Sequence, residues 1–246
     1  PLPVISASTP GECFFQAIEA ARLATKYMTP VMLLTDGYLA NGAEPWQIPS
    51  MADLTPFPVK FASSDTPDFH PYLRDEKTLS RLWPRPGTPG LEHRIGGIEK
   101  DRDSGNISYD PENHHLMTKM RAQKIANIAD DIPELAIEEG DATGDLLVIG
   151  WGSTHGAIRQ AVRRTRKEGV SVSHAHLRHL NPMPRNTGEL LKRFKRVIVP
   201  EMNNGMLVKI LRGEYLVDAK GINKISGQPF KVAEIAAAIH EHLPKD

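Results

Sequence analysis

The sequence contains one cysteine, Cys13, in 246 residues. That excludes a disulfide framework, and it excludes any iron–sulfur cluster held by the thiolates of this chain alone. Net charge is also lacking, since 30 basic side chains balance 30 acidic ones. Nothing in that balance favours nucleic acid or a membrane surface as a partner. No apolar run approaches the roughly 20 residues of a membrane-spanning helix, so the chain reads as soluble. Its start, Pro-Leu-Pro-Val, has neither the charged segment nor the apolar core of a signal peptide, and no initiator Met. The expected compartment is the cytoplasm, and the expected context is a piece of a longer protein.

What is present centres on residues 145–162. Leu146 to Ile149 form a short apolar block suited to a strand buried on both faces. Gly150 and Gly152 allow a tight turn, and Ser153 is placed to accept from the first free N–H groups of a helix. Ile158, Ala161, Val162 and Thr165 then share one helical stripe, while Arg159, Arg163, Arg164, Arg166 and Lys167 fall mostly elsewhere. Gly169 ends the helix and Val170 to Leu177 read as the next strand. The unit is βαβ.

On the amino-terminal side, Thr9-Pro-Gly-Glu12 spells a capping box with proline at the first helical position, which predicts a helix from about Pro10 to Met28. Pro30 breaks it, Val31 to Thr35 read as a buried strand, and Asp36-Gly37 as a turn at its carboxyl end. Residues 1–44 are too few to bury a core, so they are expected to end an α/β domain that begins elsewhere. Nine prolines between Pro45 and Pro89 exclude helix or central strand over most of that stretch. Its aromatics, from Trp46 to Trp83, argue for an extended arm packed on a surface. Gly90 to Gly105 continues it, and Asp110-Pro111 starts a helix predicted to run to Asp131. Residues 134–246 then alternate. Strands are expected at Leu135–Ile137, Arg196–Pro200 and Gly221–Ile225, and helices at Arg185–Phe194, from Met206, and through Val232 to Ile239. The expected fold is a three-layer α/β domain with a mostly parallel sheet, connected by residues 45–133 to the tail of another α/β domain.

Candidate chemistry is sparse. Gly150-x-Gly152-x-x-x-Gly156 approaches a dinucleotide fingerprint, but its spacing is off by one and no acidic residue stands between Ser171 and Gly188 to hold a ribose. His174 and His176 would share a strand face, with His179 near, yet no cysteine or carboxylate nearby completes a zinc set. His114-His115, Asp130-Asp131 and Glu138-Glu139 diverge as sequence neighbours and are expected to be solvated, as are Arg163 to Lys167. Asp36 and Tyr38, just past a strand end, occupy the place where open α/β sheets bind ligands. Glu201 and Asn203 stand similarly in the second domain. With Trp151 and Ser153 these are the candidates for a site edge or interface, weighed against plain turn chemistry.

Taken together, Thr9-Pro-Gly-Glu-Cys-Phe, Thr29-Pro-Val-Met-Leu-Leu-Thr-Asp-Gly-Tyr, Pro89-Gly-Leu-Glu-His-Arg-Ile-Gly-Gly-Ile-Glu-Lys, Val148-Ile-Gly-Trp-Gly-Ser-Thr and Pro200-Glu-Met-Asn-Asn-Gly resemble the α subunit of 2-oxoacid:ferredoxin oxidoreductases, closest to the 2-oxoglutarate type. The resemblance implies a thiamine diphosphate enzyme that oxidatively decarboxylates a 2-oxoacid, sends electrons through a [4Fe-4S] cluster to ferredoxin, and passes the acyl group to coenzyme A. It implies a β subunit that holds the diphosphate, Mg and cluster. It also implies that residues 1–44 end a pyrimidine-binding domain and that residues 134–246 form a transketolase C-terminal-like domain. Substrate-facing residues of the family lie upstream, so no catalytic, cofactor-binding or metal-ligating residue is assigned here. The sequence agrees, because Gly140-Asp141-Ala142 is not a Gly-Asp-Gly motif followed by Asn-Asn. A structural, interface-forming portion of that subunit is expected; an independent α/β module that binds a nucleotide at Gly150 to Gly156 is the alternative.

Overall fold

The computed structural model describes every residue except Thr55, Pro58, Gly96, Lys245 and Asp246. Of the sequence expectations, Pro58 in the arm, Gly96 in the glycine-rich passage and the last two residues of the closing domain lie outside the described residues. The strands are β1 (Val4–Ser6), β2 (Met32–Leu34), β3 (Ile137–Glu139), β4 (Gly144–Trp151), β5 (Val172–Leu177), β6 (His179–Asn181), β7 (Phe194–Glu201) and β8 (Ala219–Asn223). The helices are α1 (Glu12–Tyr27), α2 (Gly37–Asn41), α3 (Pro111–Asn127), α4 (His155–Lys167), α5 (Thr187–Lys192), α6 (Met206–Tyr215) and α7 (Val232–His242). They fall into two compact units. One comprises residues 1–3, 18–32 and 47–131, and the other residues 4–17, 33–46 and 132–246.

The larger unit holds a five-stranded sheet in the order β3-β5-β4-β7-β8, parallel except for β3, which pairs antiparallel with β5. Alternation along β4 builds two cores. Leu146 and Val148 join Ile158, Ala161 and Val162 of α4 and Ile235 and Ile239 of α7 on one face. Leu147 and Ile149 join Leu190 of α5 and Leu207 and Leu211 of α6 on the other. This is the expected three-layer α/β/α arrangement, reached because a strand with apolar residues at every position is soluble only between two helical layers. The α4 stripe is as read from sequence, with Ile158, Ala161, Val162 and Thr165 all at 0% exposure. Gly169 ends the helix at φ +88°, a conformation that penalises side chains.

A second, three-stranded sheet runs β2-β1-β6. Its central strand β1 was not anticipated, because three residues between Pro3 and Ser8-Thr9-Pro10 are too short to show alternation. β1 pairs antiparallel with β6, Val4 opposite Asn181 and Ile5 opposite His179. β2 is an edge strand, so Met32 is half exposed where a buried strand was expected.

Three of the four local corrections share one cause, side chains taking over backbone groups. The Thr9 hydroxyl accepts from Glu12 N at 3.2 Å, but Glu12 returns to Ser8 N at 2.7 Å, so the box is offset by a residue. Asp36-Gly37 is the start of α2, not a simple turn, with Asp36 capping Leu39 N at 3.0 Å. Leu135 lies outside any strand because Asn186 clamps its N–H at 2.8 Å and its carbonyl at 2.9 Å. The helix expected at 185–194 shrinks to α5, since Phe194 opens β7.

The smaller unit carries the proline-rich stretch. Among the described residues of 47–110, regular structure is confined to one 3-10 turn at Met51–Asp53 and isolated bridges such as Phe61 with Trp83. The stretch is anchored, as its aromatics suggested: Trp83 Nε1 donates to Thr25 O of α1 at 2.9 Å. Asp110 caps α3 by accepting from Glu112 N at 3.1 Å, and the helix stops at Asn127 before a 3-10 turn through Asp130. Asp131 is not simply solvated, because it accepts from Arg22 and Lys26, each at 2.7 Å.

Candidate functional site

In the larger unit, the carboxyl end of β4 opens onto a cleft of about 1050 Å³ lined by Ser8, Asp36, Tyr38, Ser153, His155 and Lys224, among others. Two sequence candidates meet there. Ser153 donates its hydroxyl to Asp36 Oδ2 instead of capping α4, which begins at His155 after a 3-10 turn. Tyr38 borders the cleft and is 58% exposed.

Beside it lies a charged chain that sequence reading missed. His155 Nε2 is 2.7 Å from Glu138 Oε2, and Arg178 donates to Glu138 through Nη1 and to Glu12 Oε1 through Nε, the latter at 2.7 Å. Glu12 also accepts from Ser8 N and Ser8 Oγ. Burial alone would raise the Glu138 carboxyl, but the hydrogen bonds from His155 and Arg178 outweigh it and hold the group well below the usual carboxylate range. Glu138 and Glu139 are therefore not a solvated pair. Glu139 accepts from Arg159 at 2.7 Å and Arg163 at 2.5 Å, and Arg163 stays on the solvated face as expected. No spacing rule relates Glu12, Glu138, His155 and Arg178; the sequence drew attention only to Glu12, through the box at Thr9, and to Glu138, as one of an adjacent acidic pair.

His174 and His176 share a face of β5, as their spacing required, with Nε2 of the first 3.3 Å from Nδ1 of the second. His179 lies in the other sheet. Burial pushes His174 down to about 3 and His176 well below its ordinary value, so both rings are neutral near pH 7. Their tautomers follow. Gly152 O lies 3.0 Å from His176 Nε2, so that nitrogen carries the proton and His176 Nδ1 accepts from His174 Nε2. His174 Nδ1 is left as a buried acceptor without a partner.

The remaining candidates sit at the ends of β4 and β7. The helix after β4 packs on one face of the sheet and the helix after β7 on the other, so this is the switch point where open α/β sheets take ligands. Here it is filled by the protein itself. Glu201, at 0% exposure, accepts from Trp151 Nε1 at 3.3 Å, Asn203 Nδ2 at 3.1 Å, Leu207 N at 2.8 Å and Val208 N at 3.1 Å. Asn203 Oδ1 takes the N–H groups of Gly205 and Met206 at 2.8 and 2.9 Å. Glu201 and Asn203 thus cap the start of α6, and Trp151 holds Glu201 in place.

This arrangement limits the chemistry available. The Ser153 hydroxyl is bound to Asp36 and His155 to Glu138, so serine and histidine are not paired as nucleophile and base. A pyrophosphate at the Gly152 turn would meet the Asp36 carboxylate, which argues against the dinucleotide alternative. Among the described residues, no three His, Cys, Asp or Glu side chains are grouped to hold a metal ion.

Two family models match. "Pyruvate flavodoxin/ferredoxin oxidoreductase, thiamine diP-bdg" covers residues 1–110, and "Pyruvate:ferredoxin oxidoreductase core domain II" covers residues 144–237. The chain is 48% identical over 243 residues to the 2-oxoglutarate oxidoreductase subunit KorA of Mycobacterium tuberculosis, covering 99% of this chain and 37% of that protein. It is 32% identical over 252 residues to subunit alpha of 2-oxoacid:ferredoxin oxidoreductase 2 of Aeropyrum pernix, covering 99% of this chain and 38% of that protein. A solved structure of 2-oxoglutarate:ferredoxin oxidoreductase from Magnetococcus marinus, with 2-oxoglutarate, coenzyme A and succinyl-CoA bound, superposes with a TM-score of 0.91 at 30% identity. That match covers 99% of this chain and 42% of the other. The chain spans less than two fifths of the two curated relatives.

Proposed function

Because the chain belongs to the α-subunit family of the 2-oxoacid:ferredoxin oxidoreductases, we propose that it is a portion of such a subunit, in a cytoplasmic enzyme that oxidatively decarboxylates 2-oxoglutarate. The products are an acyl-coenzyme A and electrons delivered to ferredoxin. The observation that carries this reading is likeness over 99% of the chain both to a 2-oxoglutarate oxidoreductase subunit and to a solved 2-oxoglutarate:ferredoxin oxidoreductase. In this reading residues 1–44 close a pyrimidine-binding domain, residues 45–133 connect, and residues 134–246 are the transketolase C-terminal-like domain. Among the described residues, no helix is long and apolar enough to cross a membrane.

Within that enzyme the chain's part is to brace and join. Cys13, the one cysteine of the sequence, cannot by itself hold a cluster. In this reading, which follows the family resemblance, thiamine diphosphate, Mg and the cluster are held mainly by a β subunit. Phe14 stacks against Phe15 and Trp46, with both ring centroids at 5.4 Å, and all three are exposed. An exposed aromatic cluster of this kind supports contact with a partner surface. The test is 2-oxoglutarate- and coenzyme A-dependent reduction of a viologen dye. Turnover is expected only with the full α and β subunits; turnover by the chain alone would overturn the bracing role, and none by the assembled enzyme would overturn the activity.

A further inference from the structure

The smaller unit contains cations that its own carboxylates do not neutralise. Arg74, Arg81 and Lys124 converge on a cavity of about 390 Å³. Arg74 donates to Tyr72 O at 3.1 Å, to Arg102 O at 2.5 Å and to Met117 Sδ at 3.5 Å. Arg81 donates to Pro71 O at 3.2 Å, and Lys124 to Met28 O at 3.2 Å. Every one of these acceptors is uncharged. The nearby acids are engaged elsewhere: Asp103 is held by Arg102 Nε at 2.8 and 2.9 Å, and Glu99, which lines the cavity, by Arg121 at 3.0 Å and His114 at 2.6 Å.

The Tyr72 ring faces both guanidinium groups, with Arg81 Cζ 4.4 Å and Arg74 Cζ 5.2 Å from its centroid. That softens the repulsion without cancelling the charge. Burial, then the charges of Arg81, Arg74 and Arg121, push Lys124 down to about 8. Burial and Arg81 lower Arg74 as well. Half-buried cations without a counter-ion are costly, and an arriving anion removes that cost.

We propose that this cavity is a binding site for a phosphate-bearing small molecule, whose phosphate is held by Arg74, Arg81 and Lys124. Two guanidinium forks and an ammonium match the charge and several oxygens of a phosphate dianion, whereas a single carboxylate would leave positive charge over. Leu79, Ile98, Met117 and Met120 give the cavity apolar wall for the body of such a molecule, and its volume suits a small ligand. The site is independent of the proposed activity, although coenzyme A is one molecule of this chemistry.

The experiment is titration calorimetry on the full-length subunit in its complex, at pH 8.5 and low ionic strength. The probes are inorganic phosphate, diphosphate and coenzyme A, with acetate as the carboxylate control. At least one phosphate probe is expected to bind saturably and at least tenfold more weakly in Arg81→Gln and in Lys124→Gln, while acetate does not bind. Binding of the bare ions identifies the phosphate group as sufficient; binding of coenzyme A alone identifies the apolar walls as necessary. On the unmodified protein, heats in two buffers of different ionisation enthalpy are expected to show proton uptake on binding, as Lys124 regains its charge. Arg81→Lys and Lys124→Arg, which keep the charge and should bind within a few-fold of the unmodified protein, keep the test open if a glutamine variant fails to fold. Failure of all three probes to bind, binding unchanged in folded glutamine variants, or binding without proton uptake would overturn the site.

Discussion

Arg178, just past the end of β5, donates to Glu12 in the first turn of α1, 166 residues earlier, while also holding Glu138. A single guanidinium thus ties the start of α1 to β3 of the five-stranded sheet. Replacing it with methionine leaves two carboxylates facing each other without their cation. The expected loss of stability is about 3 kcal/mol, the low end for breaking a buried ion pair, because the Arg178 side chain keeps 28% exposure. Lysine in its place should recover only part, since one ammonium cannot fork to both acids. Urea denaturation of the three proteins checks this, and a loss under 1 kcal/mol for methionine would contradict it.

The histidine pair predicts sensitivity to acid. His174 and His176 have folded values below their ordinary 6.5, so the unfolded chain binds more protons and stability falls as pH drops below about 6.5. The decline from each continues toward its folded value, with a limiting slope of about 1.4 kcal/mol per pH unit. Glu138, also depressed, adds to the loss only below its ordinary value of 4.5. Between pH 6.5 and 4.5 the slope belongs to the histidines, and His174→Leu is expected to flatten it. An unchanged pH profile for that variant would show the pair is not buried neutral.

Glu201→Gln tests the switch-point plug. Both carboxylate oxygens accept from backbone N–H groups of α6, and an amide must turn its NH2 toward one of them. A loss of about 2 kcal/mol is expected, in the range for a buried donor left unmet, with α6 the first region to exchange its amide hydrogens. Exchange that stays uniform across the larger unit would count against the capping role.

Gly150 reports on the close packing of α4 against β4. A Cβ there would collide with Ile158 Cδ1 and lie 2.9 Å from Thr154 Oγ1 and 3.2 Å from His176 Nδ1. Gly150→Ala is expected to cost about 1–3 kcal/mol by overpacking. Gly156→Ala, whose Cβ meets nothing within 4 Å, should leave stability unchanged or improve it. Thermal unfolding of the pair separates a packing requirement from a general need for glycine in this turn.

The fold was legible where the cause is local. The α4 stripe, the apolar block Leu146–Ile149 within β4 and the proline exclusion of helix each depend on neighbours in sequence, and each matches the structure. Pairing was not legible. Asp36 and Ser153 were each singled out by their place after a strand, but their bond spans 117 residues and no periodicity encodes it. Glu138 was set aside because a pair of adjacent acids normally faces water; Arg178 and His155 reverse that from 40 and 17 residues away. Glu201 was singled out for its place after a strand, but that its carboxylate accepts from the N–H groups of Leu207 and Val208 is again a pairing no periodicity encodes.

The pairing of β1 with β6 has a consequence for synthesis. Val4 has no partner on that side until Asn181 has left the ribosome. At about 5–20 residues per second, that delay is on the order of 10–30 s. Throughout it the backbone groups of β1 that face β6 stay open to other strands. A nascent chain halted before residue 179 would therefore be the species most prone to self-association, and one released after β6 emerges would not.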